Sequence, residues 1–233
     1  MKQWLFRPCN FGFRTTLKWF SDFKIEGKEN LPIDGPLLVA PNHLSNLDPA
    51  IVASVVPKPP VFLAKKELFK VPPASFLLRS YGAYPVDRRS ADMKALNWIT
   101  NKLVNEDRIA IMFPEGTRSK EGGLLRGQPG VALLAITTGV PVVPFALTGS
   151  EHLQNVMRVL KPTADMTLRI GKPFKVNTRN ERTSRTEIAR VTEEIMIRIA
   201  RLMPEDKRGY YTDTVEKDFI VTSEHVPETG SSK

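Results

Sequence analysis

The sequence predicts an α/β fold: a mainly parallel sheet flanked by helices, preceded by an amphipathic N-terminal helical segment. Two observations carry this. Short apolar runs of strand length alternate along the chain with longer segments of helical periodicity, the order that builds a parallel sheet through helical crossovers. Glycine, proline and Asx residues fall between these segments, where turns and caps are needed.

Taken in order, residues 11–23 place Phe13, Thr16, Leu17, Trp19, Phe20 and Phe23 on one helical arc, opposite Arg14, Lys18 and Asp22. Aromatic bulk over a basic polar face describes a helix lying in a bilayer interface, although the same pattern serves a helix packed on its own domain. Phe23-Lys24-Ile25-Glu26-Gly27 alternates as a strand, and Leu37-Leu38-Val39-Ala40 is a second. Asp48-Pro49 opens a helix to Val56, with Asp48 suited to the N-cap and Pro49 to the first turn. Residues 61–64 read as a strand, Pro72 to Ser80 as a helix, and Ala83 to Asp87 as a strand. Ser90 is a plausible N-cap for a helix to Asn105, striped by Met93, Leu96, Ile99 and Leu103. A strand from Ile109 to Phe113, a helix from Val131 closed by Gly139, and strands at 142–147 and 166–170 follow. The last helix, Thr183 to Met203, carries Ile188, Val191, Ile195, Ile199 and Leu202 as a core-facing stripe.

This pattern divides the chain into a membrane-docking segment (1–23), a catalytic-sized domain (24–203) and an acidic, loosely ordered tail (204–233). The docking segment reads as separable from a core that folds without it. The net charge is +9, but the tail alone is −3, so the body carries +12. Such a surplus points to an anionic partner. No nucleic-acid-binding signature is present, which leaves phosphorylated small molecules and anionic membranes. Three histidines and one cysteine are too few for a dense metal site or a disulfide framework, so no metal or resident cofactor is expected. No secretory signal is apparent. Val131 to Leu147 is broken by Gly139, Pro141 and Pro144, so it is not a spanning helix.

Four segments offer chemistry. In Asn42-His43-Leu44-Ser45-Asn46-Leu47-Asp48, a strand ends just before His43 and the chain must turn before Asp48. A turn of that length can fold the carboxylate onto the imidazole, fix its tautomer and leave the far nitrogen as a general base. The plainer reading is a histidine at a strand end and an aspartate capping a helix. Phe113-Pro114-Glu115-Gly116-Thr117-Arg118-Ser119 brings a flexible glycine, hydroxyls and a guanidinium fork, which suit a phosphate monoester. Glu115 would repel that phosphate unless it faced an arginine or the acceptor's hydroxyl. Gly82 to Arg89 delivers two arginines at a strand end, where Asp87 pairing with one of them is the simpler expectation. Val140 to Leu147 is apolar and proline-punctuated, fit for core or for a greasy channel.

Together, in this order and spacing, the four segments resemble the sequence blocks of the glycerolipid acyltransferase family. They run from Asn42 to Leu147, about half the chain. His43 and Asp48 match the family's His-four-residues-Asp pair, and Pro114 to Ser119 matches its Pro-Glu-Gly-Thr-Arg-Ser block in full. The block at 82–88 departs slightly, with Tyr84-Pro85-Val86 where Phe/Ile-rich residues are usual, although Gly82, Asp87 and Arg88 fit.

The resemblance implies transfer of a fatty acyl group from acyl-CoA or acyl-carrier protein, as co-substrate, to the free hydroxyl of 1-acylglycerol 3-phosphate (lysophosphatidate) at the cytoplasmic face of a membrane. It implies His43 as base, Asp48 as its partner, and a substrate-binding set in which Arg118, with Gly116 and Thr117, holds the acceptor's phosphate, Glu115 shapes that loop and Arg88 is a second phosphate contact. A thioester is already activated, so no acyl-enzyme is required. The sequence offers neither a G-x-S-x-G elbow nor a plausible cysteine nucleophile. Glycerol 3-phosphate or another lysolipid as acceptor, a hydrolase using water, and a non-catalytic module for anionic membranes are the alternatives.

Overall fold

The computed structural model describes residues 4–87, 92–177 and 184–225. The chain begins with α1 (Phe6–Phe20), then β1 (Asp22–Glu26), β2 (Leu37–Pro41), α2 (Asp48–Ala53), β3 (Val61–Lys65), α3 (Pro72–Tyr81) and β4 (Ala83–Val86). It continues through α4 (Met93–Val104), β5 (Ile109–Ile111), α5 (Pro129–Thr138), β6 (Val142–Thr148), β7 (Asp165–Ile170), β8 (Phe174–Val176), α6 (Arg185–Leu202) and β9 (Thr222–Glu224). The expected α/β architecture is what forms. Strands lie in the order β1-β7-β6-β2-β5-β3-β4, with β8 paired to β6 and β9 to β8. From β6 through β4 the pairs are all parallel, whereas β7 runs antiparallel to β6.

Alternation along the strands sends successive side chains to opposite faces. Leu38, Ala40, Ala110, Val142 and Ala146 join the core beneath α4, α5 and α6. Leu37, Val39, Ile109, Ile111, Val143 and Phe145 join the core on the other face, with α1 and α2. Both faces of the central strands are buried, which is why β2, β5 and β6 read as continuous apolar runs.

The structure revises the expected boundaries at both ends. Helix α1 starts at Phe6, five residues earlier than its periodicity suggested. Pro8 is tolerated because it falls in the first turn, where an N–H has no helical partner. The expected arc also splits: Phe13 and Leu17, joined by Phe6 upstream, are buried against the domain, while Trp19 faces outward, as does Phe11 off that arc. Phe23 leaves the helix altogether and enters β1, which pairs with β7 from Asp22 onward, so the domain begins before residue 24.

At the other end, residues 204–225 are docked rather than loose. Tyr211 is buried and its hydroxyl accepts the Gly127 N–H at 2.9 Å. Glu194 on α6 collects the N–H groups of Ile220 and Val221 at 2.7 and 3.0 Å and the Thr222 hydroxyl at 2.6 Å. The Arg198 guanidinium sits between the rings of Phe174 and Phe219, 4.3 and 3.7 Å from their centroids. Two caps also differ. Asp92 caps α4, its side chain accepting the Ala95 N–H at 3.1 Å, whereas Ser90 lies outside the described residues. Asp48 is the first residue of α2, and its carboxylate turns back toward the preceding loop.

Candidate active site

Three loops meet at the carboxyl ends of the adjacent parallel strands β6, β2 and β5, the edge where open α/β sheets hold their ligands. The middle loop carries His43. Just before it, the Asn42 side chain continues the sheet by other means: its Nδ2 donates to the Leu147 carbonyl at 2.9 Å and its Oδ1 accepts the Leu147 N–H at 2.7 Å. The turn after β2 is thereby pinned to the end of β6.

Asp48 organises that turn. Its Oδ2 accepts from His43 Nδ1 at 2.9 Å and from the N–H groups of Leu44 and Ser45, both at 2.6 Å. Its Oδ1 accepts the hydroxyls of Ser45 and Ser150 at 2.6 and 2.7 Å. A carboxylate with no exposed surface needs such donors, because an unpaired buried charge is strongly disfavoured. The predicted pairing of His43 with Asp48 is therefore present, inside a knot of five donors.

His43 is buried, 7% exposed, and its ring stacks on Phe113, centroids 4.1 Å apart. With Nδ1–H donated to Asp48, a neutral ring carries its lone pair on Nε2, which bonds to no other described residue. The His43 main chain is held as firmly as its ring. Its N–H donates to Glu115 Oε1 and its carbonyl accepts the Ser119 N–H, both at 2.8 Å. These two bonds join the loop after β2 to the loop after β5.

Glu115 braces the loop that carries it. It is buried, and its second oxygen accepts the Leu125 N–H at 2.9 Å. Burial pushes its carboxyl up to about 7; the two main-chain N–H groups act against this, and the charge of Asp48 adds to it. The residue ties three loop segments together from within.

Gly116, Thr117 and Arg118 are exposed. Gly116 has φ +68, a left-handed conformation that an L side chain rarely adopts. Arg118 Nη1 donates to Gln154 Oε1 at 2.5 Å, and Gln154 Nε2 donates to the Leu44 carbonyl at 2.8 Å. Thr117, Arg118, Ser119, Lys120, Glu151 and Gln154 wall a hollow of about 420 Å³. His43 is not part of that wall but is reached from it across the Ser119–His43 bond. Arg88 lies outside the described residues; the preceding strand β4 ends at the same edge, since β4, β3, β5 and β2 are mutually parallel.

Asn42, Ser45, Ser150 and Gln154 had no role assigned from the sequence. Ser45 could have been suspected from its place three residues before Asp48. Ser150 lies 102 residues from Asp48, and Gln154 lies 110 from Leu44 and 36 from Arg118, both in no motif, so only the folded chain reveals them.

Comparison with known proteins gives the family. A 1-acyl-sn-glycerol-3-phosphate acyltransferase from Borreliella burgdorferi is 31% identical over 149 residues, covering 60% of this chain and 58% of that protein. One from Bacillus subtilis is 28% identical over 199 residues, covering 85% and 96%. The chain spans about half the length of several curated relatives it matches, 45% and 50% in two of them. The crystal structure of the 1-acyl-sn-glycerophosphate acyltransferase from Thermotoga maritima superposes with a TM-score of 0.59 at 27% identity, covering 82% of this chain and 76% of that one. The Acyltransferase family model matches residues 22–148, from the first strand through β6 and so across the loops after β2 and β5, ending just before the loop after β6. With more than half of its 233 residues under that match, and the His43–Asp48 pair inside it, this chain belongs to the acyltransferase family.

Proposed function

We propose that the chain is a peripheral-membrane O-acyltransferase that moves a fatty acyl group from acyl-CoA or acyl-carrier protein to 1-acylglycerol 3-phosphate, giving phosphatidate. The observation that carries this reading is the His43 Nδ1–Asp48 Oδ2 bond of 2.9 Å, which leaves Nε2 available beside a loop bearing Arg118. Nε2 takes the proton of the glycerol hydroxyl as its oxygen attacks the thioester carbonyl carbon. Asp48 stabilises the imidazolium that forms. The tetrahedral intermediate collapses by breaking the carbon–sulfur bond, the thiolate takes the proton back from Nε2, and the ester is complete. No covalent enzyme intermediate is required, because the donor arrives already activated.

Arg118, Gly116 and Thr117 serve the acceptor's phosphate, with Arg88 as a further cation. Arg118 offers paired charge-assisted donors, and Gly116 lets the main chain come close to the ligand. Glu115 contributes by holding the loop. No helix among the described residues is long and apolar enough to cross a membrane, so access to a lipid acceptor falls to surface contacts. The cytoplasmic face suits a donor of the CoA or carrier-protein type.

The test is an acceptor screen in mixed micelles with thiol detection. Lysophosphatidate should release thiol, glycerol 3-phosphate should not, and His43→Ala should abolish the signal. Thiol release at full rate without any acceptor would instead make the protein a thioesterase.

A further inference from the structure

Beside the active-site edge, residues 155–161 form a short turn whose side chains make little use of the protein. Val156, Met157 and Leu160 are 62%, 64% and 63% exposed, although aliphatic residues gain most from burial. The turn is nonetheless well anchored. The Thr16 hydroxyl donates to the Val159 carbonyl at 2.9 Å, the Ser21 hydroxyl donates to the Pro162 carbonyl at 2.5 Å, and Lys161 lies over the Phe20 ring. It therefore shares one surface with the C-terminal end of α1, where Trp19 is 75% exposed.

Position gives this surface its meaning. The turn lies in the connection from β6 to β7, which projects beyond the carboxyl end of β6 because the two strands pair antiparallel, Thr148 opposite Thr167. It follows directly on Gln154, which touches Arg118 and whose carbonyl accepts from the Asn46 side chain. Whatever covers Val156, Met157 and Leu160 must sit at the mouth of the site.

We infer that residues 156–161, together with Trp19 and Phe20, form a wedge that inserts into an anionic bilayer and sets the active-site mouth at headgroup depth. Two observations select a bilayer. Aliphatic side chains protrude from a short fixed turn beside the Trp19 and Phe20 rings at the end of α1, a mix that suits the headgroup–acyl boundary. Arg158, Lys161 and Lys18 are interleaved with them, and no acidic residue occurs between Asn155 and Lys161, so the charge complements anionic headgroups. A lipid acceptor then reaches the Arg118 hollow without leaving the membrane. This inference rests on the lipid-acceptor reading above and adds the surface by which the acceptor is met.

The experiment measures sedimentation of the full chain with phosphatidylcholine vesicles, with and without phosphatidylglycerol, in the absence of substrate. The variant Val156→Ser/Met157→Ser/Leu160→Ser should bind anionic vesicles about tenfold more weakly or worse, at an unchanged thermal midpoint. It should still turn over a short-chain acceptor below its micellar concentration. Arg158→Gln/Lys161→Gln should lose much of the preference for phosphatidylglycerol and of its salt dependence. Equal sedimentation of the triple variant and the parent would overturn the wedge while leaving the acyltransferase reading intact. The wedge is overturned in the same way if sedimentation is equal but the triple variant saturates more weakly with acyl-carrier protein, or if it merely breaks a dimer. Loss of vesicle binding in a protein that turns over no lysolipid would uphold the wedge and remove the acceptor assignment instead.

Discussion

His43 and Asp48 divide their work between chemistry and architecture, and single substitutions separate the two. In His43→Ala the main-chain bonds to Glu115 and Ser119 survive, because they use only N–H and carbonyl groups. Turnover should fall by about 10²–10⁴-fold, the range of general acid–base assistance, while the thermal midpoint moves little. Asp48→Asn should lower both, since an amide nitrogen would face donors where the carboxylate accepted five of them; leaving such a group unsatisfied costs about 1–3 kcal/mol. Arg118→Ala should raise the acceptor concentration for half-saturation by about 10–100-fold, as expected for loss of a charge-assisted contact, with donor saturation nearly unchanged. Saturation curves for each substrate check this. Glu115 gives a pH signature. Its carboxyl is pushed from the ordinary 4.5 up to about 7 in the folded chain. Its contribution to stability is thus fullest below 4.5 and is lost as pH rises through 7, because the unfolded chain releases this proton first. Glu115→Gln stays neutral throughout. The parent's thermal midpoint should fall relative to the variant's across that interval, and parallel curves would deny the carboxyl its shift.

At the scale of elements, what could be read in advance depended on how local the cause was. Strands β2, β5 and β6 are buried on both faces and announce themselves as apolar runs, while α4 and α6 carry unbroken stripes. The site was legible for the same reason, since the His43 turn and the 114–119 loop are each contiguous and each follows a recognisable strand. Strands β8 and β9 were not legible. Each has three residues, too few for alternation, and their pairing depends on Glu194 and Arg198 some 20 or more residues away. The C-terminal segment read as a loose tail because its composition is polar, yet α6 supplies the partners that composition cannot show. Glu194→Ala should expose the consequence. It strands two main-chain N–H groups and a hydroxyl at one stroke. A loss of about 2–3 kcal/mol is expected for hydrogen bonds to a charged group, read as a lower urea midpoint with the active-site loops untouched.

For the whole molecule, the first helix is both core and surface, and the two roles predict different outcomes. Phe6, Phe13 and Leu17 are buried within the core that also holds β2, β5 and β6 side chains, and Phe6 meets Tyr81 at a ring separation of 5.0 Å. Burying three such side chains contributes on the order of 5 kcal/mol at about 1.5–3 kcal/mol each, comparable to the net stability of an ordinary domain. A chain beginning at Asp22 should therefore lose cooperative unfolding or aggregate, rather than yield a folded enzyme that has merely lost its grip on membranes. Phe11→Ser/Trp19→Ser alters only outward-facing positions of the same helix, so its thermal midpoint should match the parent's while vesicle binding weakens. Calorimetry and vesicle sedimentation on the two proteins decide between the roles. A truncated chain that melts at the parent's temperature would mean that α1 is an appendage after all. A double variant with full vesicle binding would mean that its outer face plays no part at the membrane. The two roles are compatible, because one helix can close the core with one stripe and meet lipid with the next.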